Sequence, residues 1–130
     1  MTRKPQRRRF AWLPDTAGAA AVEFAMVFPA FISLIVGGIY TAQLLYAASS
    51  LRYAAEAAAR CYSVNTTVCT SNSVTQTYAL GKYLGPVSPA PTFTASTPAC
   101  GHQVVGTMTF VLNAGVTSFN VPLSATACFP

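Results

Sequence analysis

One long uncharged stretch limits what this chain can fold into. Between Glu23 and Arg52 the sequence contains no Asp, Glu, Lys or Arg, and most of its residues are apolar. A helix that crosses the hydrocarbon core of a bilayer needs about 20 such residues. The stretch predicts a membrane-spanning segment over about residues 24–46, within a longer helix over residues 19–60 that is rich in good helix formers.

Two features interrupt this helix. Pro29 lacks the N–H that would bond to the carbonyl of Ala25, and its ring crowds that turn, so a kink is expected there. The pair Gly37-Gly38 either softens the helix or marks a close approach to another helix, and the sequence leaves both open.

Beyond Tyr46 the apolar residues narrow to one stripe, in which spacings of four and three alternate. Its members are Leu44, Ala48, Leu51, Ala55 and Ala58. We expect the rest of the chain, or a neighbouring helix, to pack on this stripe.

The charge of the chain is concentrated at its start. The net charge is +5, and five of the eight basic residues lie within the first nine positions. Basic residues that flank a span stay in the cytoplasm, so residues 1–18 read as a cytoplasmic leader. A basic arm for nucleic acid is the weaker interpretation, and no nucleic-acid partner is expected. A secretory signal cut near Ala47–Ser49 is also weaker, because the apolar run is too long.

Residues 61–130 predict a small α+β domain. A short helix fits residues 73–84, with Ser71 or Asn72 as its cap and Gly85-Pro86 as its stop. Alternation of polar and apolar residues predicts strands at 92–97, 103–112 and 123–129, with a turn at 113–115. The predicted fold is a long N-terminal membrane-spanning α-helix followed by this domain, with an antiparallel β-sheet.

Four cysteines follow the span: Cys61, Cys69, Cys100 and Cys128. An even number of cysteines, all on the side of the span that is expected to face outward, favours disulfides. Of the three possible pairings we favour Cys61–Cys69 with Cys100–Cys128. A zinc site that includes His102 is the weaker alternative, because there is no CxxC pair and an oxidising compartment disfavours thiolates. We expect no metal and no cofactor.

The chain shows no catalytic constellation. No Asp or Glu follows Glu56, so a carboxylate pair in the exported part has no candidates. His102 is the only histidine and has no nearby acid to orient it, so we expect a surface or strand-edge residue. The sequence therefore predicts a protein that is not an enzyme.

The string GAAAVEF at residues 18–24 carries the functional prediction. A small residue at Gly18, where the basic tag meets the span, lets a protease approach the backbone closely. A cut after Gly18 would leave a free ammonium group on Ala19, with Glu23 about one helical turn away. A carboxylate drawn into lipid is costly without a partner. The ammonium of one subunit could therefore pair with Glu23 of another and set their stagger.

A basic leader ending in glycine, a glutamate five residues later, then Phe24 and an apolar helix resemble the class III signal of type IV pilins and pseudopilins. The string GAAAVEFAMVFPAF and the later LLYAASSLRYAAEAAAR resemble, more narrowly, the TadE-like family of tight-adherence (Flp-type) pilus systems.

This resemblance implies cleavage between Gly18 and Ala19 by a prepilin peptidase and assembly through Glu23 and Phe24. It implies a bacterial inner-membrane protein with a cytoplasmic N-terminus and a periplasmic C-terminal domain, which joins other pilins as a minor pilin. The major subunit of such pili has little beyond its helix, so a filament subunit fits less well. The alternative is an unprocessed, single-pass anchored protein that binds a ligand or a surface.

Overall fold

The computed structural model describes residues 16–113 and 117–130, so most of the expected leader lies outside the described residues. The α+β class is confirmed: a long apolar helix, a short second helix and a three-stranded antiparallel sheet with two disulfides. The elements in chain order are α1 Thr16–Val64, α2 Asn72–Lys82, β1 Thr92–Ser96, β2 His102–Asn113 and β3 Ser118–Phe129.

The chain divides into two compact units between Gly37 and Gly38. In the first unit the described residues are all part of α1, and every one from Gly18 onward is exposed. The second unit holds the remainder of α1, α2 and the sheet. By length and composition α1 could cross a membrane, since its 18-residue apolar window has a mean hydropathy of 2.2 and none of it is buried.

Helix α1 extends further at its C-terminus than the sequence indicates. The expected end of the helix at residue 60 is wrong, because α1 continues to Val64. The N–H of Asn65 still donates to the carbonyl of Cys61 at 2.8 Å, which completes the last turn. Tyr62, Ser63 and Val64 are weak helix formers, so propensity alone does not predict this turn.

Helix α2 is capped as expected. The Ser71 hydroxyl accepts from the N–H of Val74, and the helix ends at Lys82, with Tyr83 as its C-cap. The next N–H, that of Leu84, donates to the Ser50 hydroxyl on α1 at 2.8 Å. The end of α2 is thereby tied to α1 within the second unit.

The sheet has the order β1-β2-β3, with β2 in the centre. Strand β3 begins at Ser118, five residues before the expected start at Leu123. The difference arises at Pro122. The expected strand begins directly after this proline, whereas in the structure Pro122 pairs with Thr109. Proline is tolerated in an edge strand, and β3 is one, so the pairing continues through it. The expected turn at residues 113–115 lies largely outside the described residues.

In the core of the second unit, the face of α1 that carries small side chains packs against one face of the sheet. The helix contributes fully buried alanines and Leu51, which is 1% exposed, and the expected stripe therefore packs on the rest of the chain. Strand β2 approaches closely at Gly106. A Cβ there would lie 3.0 Å from Leu51 Cδ1 and 2.6 Å from Phe93 Cε1.

The second unit contains two disulfides. The first, called here the helix disulfide, joins Cys61 to Cys69, and the second, the sheet disulfide, joins Cys100 to Cys128. This is the pairing that the sequence favours. Next to the sheet disulfide Gly101 has a φ of +116°, and a Cβ there would lie 2.2 Å from the Phe129 carbonyl oxygen. Only glycine fits such a position without strain.

Candidate processing and assembly site

The expected cleavage site lies in the first turn of α1. The helix begins at Thr16, and both Gly18 and Ala19 are exposed. A Cβ at Gly18 would meet nothing within 4 Å, so packing among the described residues does not require a glycine here. A protease would have to open this turn to reach the peptide bond. Glycine costs a helix about 1 kcal/mol relative to alanine, which makes opening easier.

Glu23 lies on the same helical face as Ala19. The two residues are four positions apart, which is about 6 Å along the helix axis. Glu23 is exposed, and it forms no ion pair with any residue in the ranges 16–113 and 117–130. Its carboxylate is therefore available to a group from outside this part of the chain.

The residue after Glu23 begins an exposed aromatic pair. The rings of Phe24 and Phe28, one turn apart, have their centroids 5.2 Å apart and are tilted by 32°. Both side chains are exposed. Such i, i+4 pairs stabilise a helix by about 0.2–0.5 kcal/mol. The pair also presents an apolar ridge that lipid or a neighbouring helix could cover.

Pro29 lies inside α1, as expected. It removes the donor for the carbonyl of Ala25. Four residues later the Ser33 hydroxyl donates to the carbonyl of Pro29 at 2.8 Å. Such back-bonding gives a serine hydroxyl a partner inside an apolar helix and often accompanies a bend. The kink itself stays a prediction.

The cysteines do not form a metal site. All four are in disulfides, so the zinc alternative is wrong: no thiolate remains as a ligand. His102 is partly exposed, as a surface position implies, but it does not lie in an edge strand. It begins the central strand, is half-buried, and its ring lies edge-on to Tyr62 with centroids 4.3 Å apart. Its Nδ1 is buried without a hydrogen-bond partner among the described residues.

Tyrosines on α1 hold later segments of the second unit. The Tyr40 hydroxyl donates to the Asn113 carbonyl at 2.8 Å, and the Tyr46 hydroxyl donates to the Leu84 carbonyl at 2.9 Å. The Tyr62 hydroxyl donates to the Asn72 side chain. The sequence gives no signal for the partners of these three hydroxyls.

A further tyrosine that the sequence did not single out lies in the core. Tyr83 is buried, and its hydroxyl contacts the Met108 sulfur at 3.1 Å. Burial, with a smaller contribution from the neighbouring Tyr46 hydroxyl, raises the pKa of Tyr83 above its usual value. Loss of a proton from this group therefore opposes folding.

One open groove of the second unit lies beside α1 and is lined in part by Tyr53, Glu56, Arg60, Tyr78 and Phe129. The groove contains one acidic residue, Glu56, and one basic residue, Arg60, which are four positions apart on α1. Among the residues that the structure describes, its lining includes no histidine and no free cysteine. This arrangement supplies no acid–base pair that suits a catalytic step.

Comparison with known proteins adds one match. The profile of the family described as TadE-like protein matches residues 18–60, from the glycine of the expected cleavage site to the last turns of α1. No curated protein and no solved structure matches the chain. The resemblance to the TadE-like family that the sequence indicates is thus confirmed over residues 18–60, the part of the chain that is similar to TadE-like proteins.

Proposed function

We propose that this protein is a minor pilin-like subunit that takes part in assembly of an Flp-type, tight-adherence pilus. The observation that carries the proposal is the TadE-like match, which begins at Gly18 and covers the apolar helix. This family is pilus-associated and structural. The proposal adds processing, membrane orientation and a minor role.

Processing follows from the position of Gly18. A prepilin peptidase in the inner membrane would cut between Gly18 and Ala19 and remove residues 1–18. The site is supported by its place at the start of α1, where a turn opens at little cost. The mature protein would keep its helix in the membrane, and its C-terminal domain, residues 61–130, would face the periplasm. The basic residues before Gly18 and the two disulfides support this orientation.

Assembly rests on Glu23. A charged side chain within a membrane helix costs about 2.5–3.5 kcal/mol on insertion scales, and pairing offsets that cost. The new ammonium group of Ala19 on one subunit is a suitable partner for the exposed carboxylate of Glu23 on the next. The exposed ridge of Phe24 and Phe28 would pack against the same neighbour.

The second unit supports a minor subunit over a bulk filament subunit. Gly38–Pro130 contains a sheet, a second helix and two disulfides in addition to part of the long helix. The partners that this proposal implies are the inner membrane, the prepilin peptidase, other pilins and the assembly machinery.

N-terminal sequencing of the protein from native membranes tests processing. We expect a start at Ala19. The variant G18L should leave the leader attached, whereas G38L makes the same change at another exposed helical glycine with free space and should be processed normally. A start at Met1 in the wild type would favour the unprocessed, anchored binding protein instead. A start near Ser49 would indicate an ordinary secretory signal.

A pair of acid-to-amide variants tests assembly. E23Q should be processed normally but should fail to join the pilus fraction, because the amide cannot replace the charge in the proposed ion pair. E56Q is the matched control: it is an exposed glutamate on the same helix, beyond the apolar segment. Wild-type incorporation of processed E23Q would refute the ion-pair role.

A further inference from the structure

The continuous exposure of α1 on all sides ends at Tyr40. Every residue from Gly18 to Ile39 is exposed, and Tyr40 is the first that is half-buried. These 22 positions correspond to about 33 Å of helix, close to the ~30 Å thickness of a hydrocarbon core. Beyond them Leu44 and Ala47 already pack in the core of the second unit. The free apolar helix therefore has the length of one bilayer crossing.

The residue at this boundary contacts the end of the β2–β3 hairpin. The Tyr40 hydroxyl donates to the carbonyl of Asn113, the last residue of β2. Asn113 pairs with Ser118, the first residue of β3. The hairpin end, defined here as residues 111–113 and 117–121, thus lies at the level of α1 where exposure ends.

The hairpin end carries apolar side chains that the fold leaves uncovered. Along the helix-facing side of the hairpin, Phe110 is 6% exposed, Leu112 is half-buried, and its cross-strand partner Phe119 is 60% exposed. On the other side Val111 is also exposed. The apolar core therefore continues toward the hairpin end and opens to the surroundings there.

No formal charge opposes contact with lipid. From Tyr83 to the end of the sequence there is no Asp, Glu, Lys or Arg. On the C-terminal side of Tyr40, the nearest charged residues of α1 are Arg52 and Glu56. They lie at least 12 positions further along the helix. That separation is about 18 Å, so both charges would stay clear of the bilayer surface.

We propose that the end of the β2–β3 hairpin rests in the interface of the membrane that α1 crosses, with Phe119 at the boundary between headgroups and acyl chains. The occupant of this apolar surface is a lipid bilayer. The proposal rests on the membrane anchoring of the proposed function. It also places the span at residues 19–39 instead of about 24–46, because Tyr40 and Leu44 are engaged by the second unit.

The chemistry of the boundary fits this placement. Tyrosines are enriched where a membrane helix leaves the hydrocarbon core, since the ring is apolar and the hydroxyl is polar. The hydroxyl of Tyr40 is satisfied by Asn113 and needs no water. The exposed Phe119, which pairs with the residue before Asn113, gains from the same interface, which accepts apolar side chains to a depth of about 5–10 Å.

Depth-dependent fluorescence quenching in vesicles tests the placement. The chain has one tryptophan, Trp12, so W12F provides a background without indole. In that background F119W reports on the hairpin end. I32W reports on the span, and Y53W is the matched control: Tyr53 is 53% exposed but about 20 Å further along α1 from Tyr40. Each full-length variant is reconstituted in phosphatidylcholine vesicles that carry bromine at shallow or deep acyl positions.

We expect shallow bromines to quench F119W at least about twofold more than Y53W, as for an interfacial side chain. I32W should be quenched most by deep bromines. If I32W responds and F119W responds no more than Y53W, the hairpin placement is wrong while the anchoring stands. If I32W is not quenched, the anchoring fails and the hairpin proposal fails with it. A blue shift of F119W that depends on protein concentration, without quenching, would assign the surface to a second copy and refute the lipid.

Discussion

Replacement of Leu51 by alanine is the sharpest test of how the sheet is held on α1. Leu51 is the largest hydrophobic side chain on the buried face of the helix. The change removes three carbon atoms from a fully buried site. At about 0.8 kcal/mol per methylene, transfer alone costs about 2.4 kcal/mol.

A cavity adds to this cost, because the surroundings of Leu51 have little freedom to fill it. Its neighbours on the helix face include Ala47, Ala54 and Ala55, which have no side-chain rotamers to move into the space. The facing backbone at Gly106 has no side chain at all. Cavity costs of about 24 cal/mol per Å³ then bring the expected loss to about 3–5 kcal/mol.

Urea unfolding of the full chain in mild detergent measures the loss, with tyrosine near-UV circular dichroism as the signal and the disulfides intact. The midpoint of L51A should fall by about 1–5 M, because the typical slope for small proteins in urea is about 1–3 kcal/mol per M. L80A is the matched control, since Leu80 is 48% exposed on α2 and should cost under about 1 kcal/mol. A midpoint for L51A close to that of the wild type, or a loss in L80A as large, would refute the packing argument.

Three further predictions concern the same unit and use the same unfolding measurement. G101A should lose about 1–3 kcal/mol, because alanine is strained at a positive φ and its Cβ meets the Phe129 carbonyl; a stability equal to the wild type would contradict that geometry. Tyr83 has a raised pKa, so its contribution is complete below the usual value of 10.0 and is lost as pH rises through the higher folded value. Wild-type stability should therefore fall above about pH 10, and Y83F should flatten that fall; equal slopes would argue against the buried hydroxyl. Removing the sheet disulfide should cost roughly 1 kcal/mol more than removing the helix disulfide, because it spans 28 residues against 8; the reverse order would contradict the chain-entropy argument.

Much of the fold can be predicted from the sequence because local signals and tertiary packing agree. The apolar run, the small stripe on α1 and the alternation in β2 each match the structure. The two main differences have physical causes. Pro122 indicates the end of a strand, but an edge position tolerates it, so β3 begins earlier. Residues after Cys61 lack helix propensity, yet they complete the last turn of α1 next to the helix disulfide.

The contacts between distant segments could not be predicted. The bonds of Tyr40 and Tyr46 join α1 to carbonyls 73 and 38 residues away, and no local pattern fixes such a partner. His102 shows the same difficulty, since a single histidine in a strand pattern does not reveal that Tyr62 will cover its ring. The candidate processing site is the opposite case. Gly18, Ala19 and Glu23 are recognisable because the roles proposed for them depend on sequence order along one helix.

Helix α1 has an exposed segment followed by a segment that packs in a core, and the sizes of its side chains differ between the two segments. Up to Ile39 it presents large apolar side chains in every direction, as lipid or neighbouring helices require. From Ala47 onward the buried face is almost entirely alanine, which lets the sheet approach closely but adds little volume to the core. The sheet supplies that volume through Phe93, Met108 and Phe110. A core this thin explains why so small a unit also has two disulfides, and it leaves the apolar side chain of Phe119 exposed at the hairpin end.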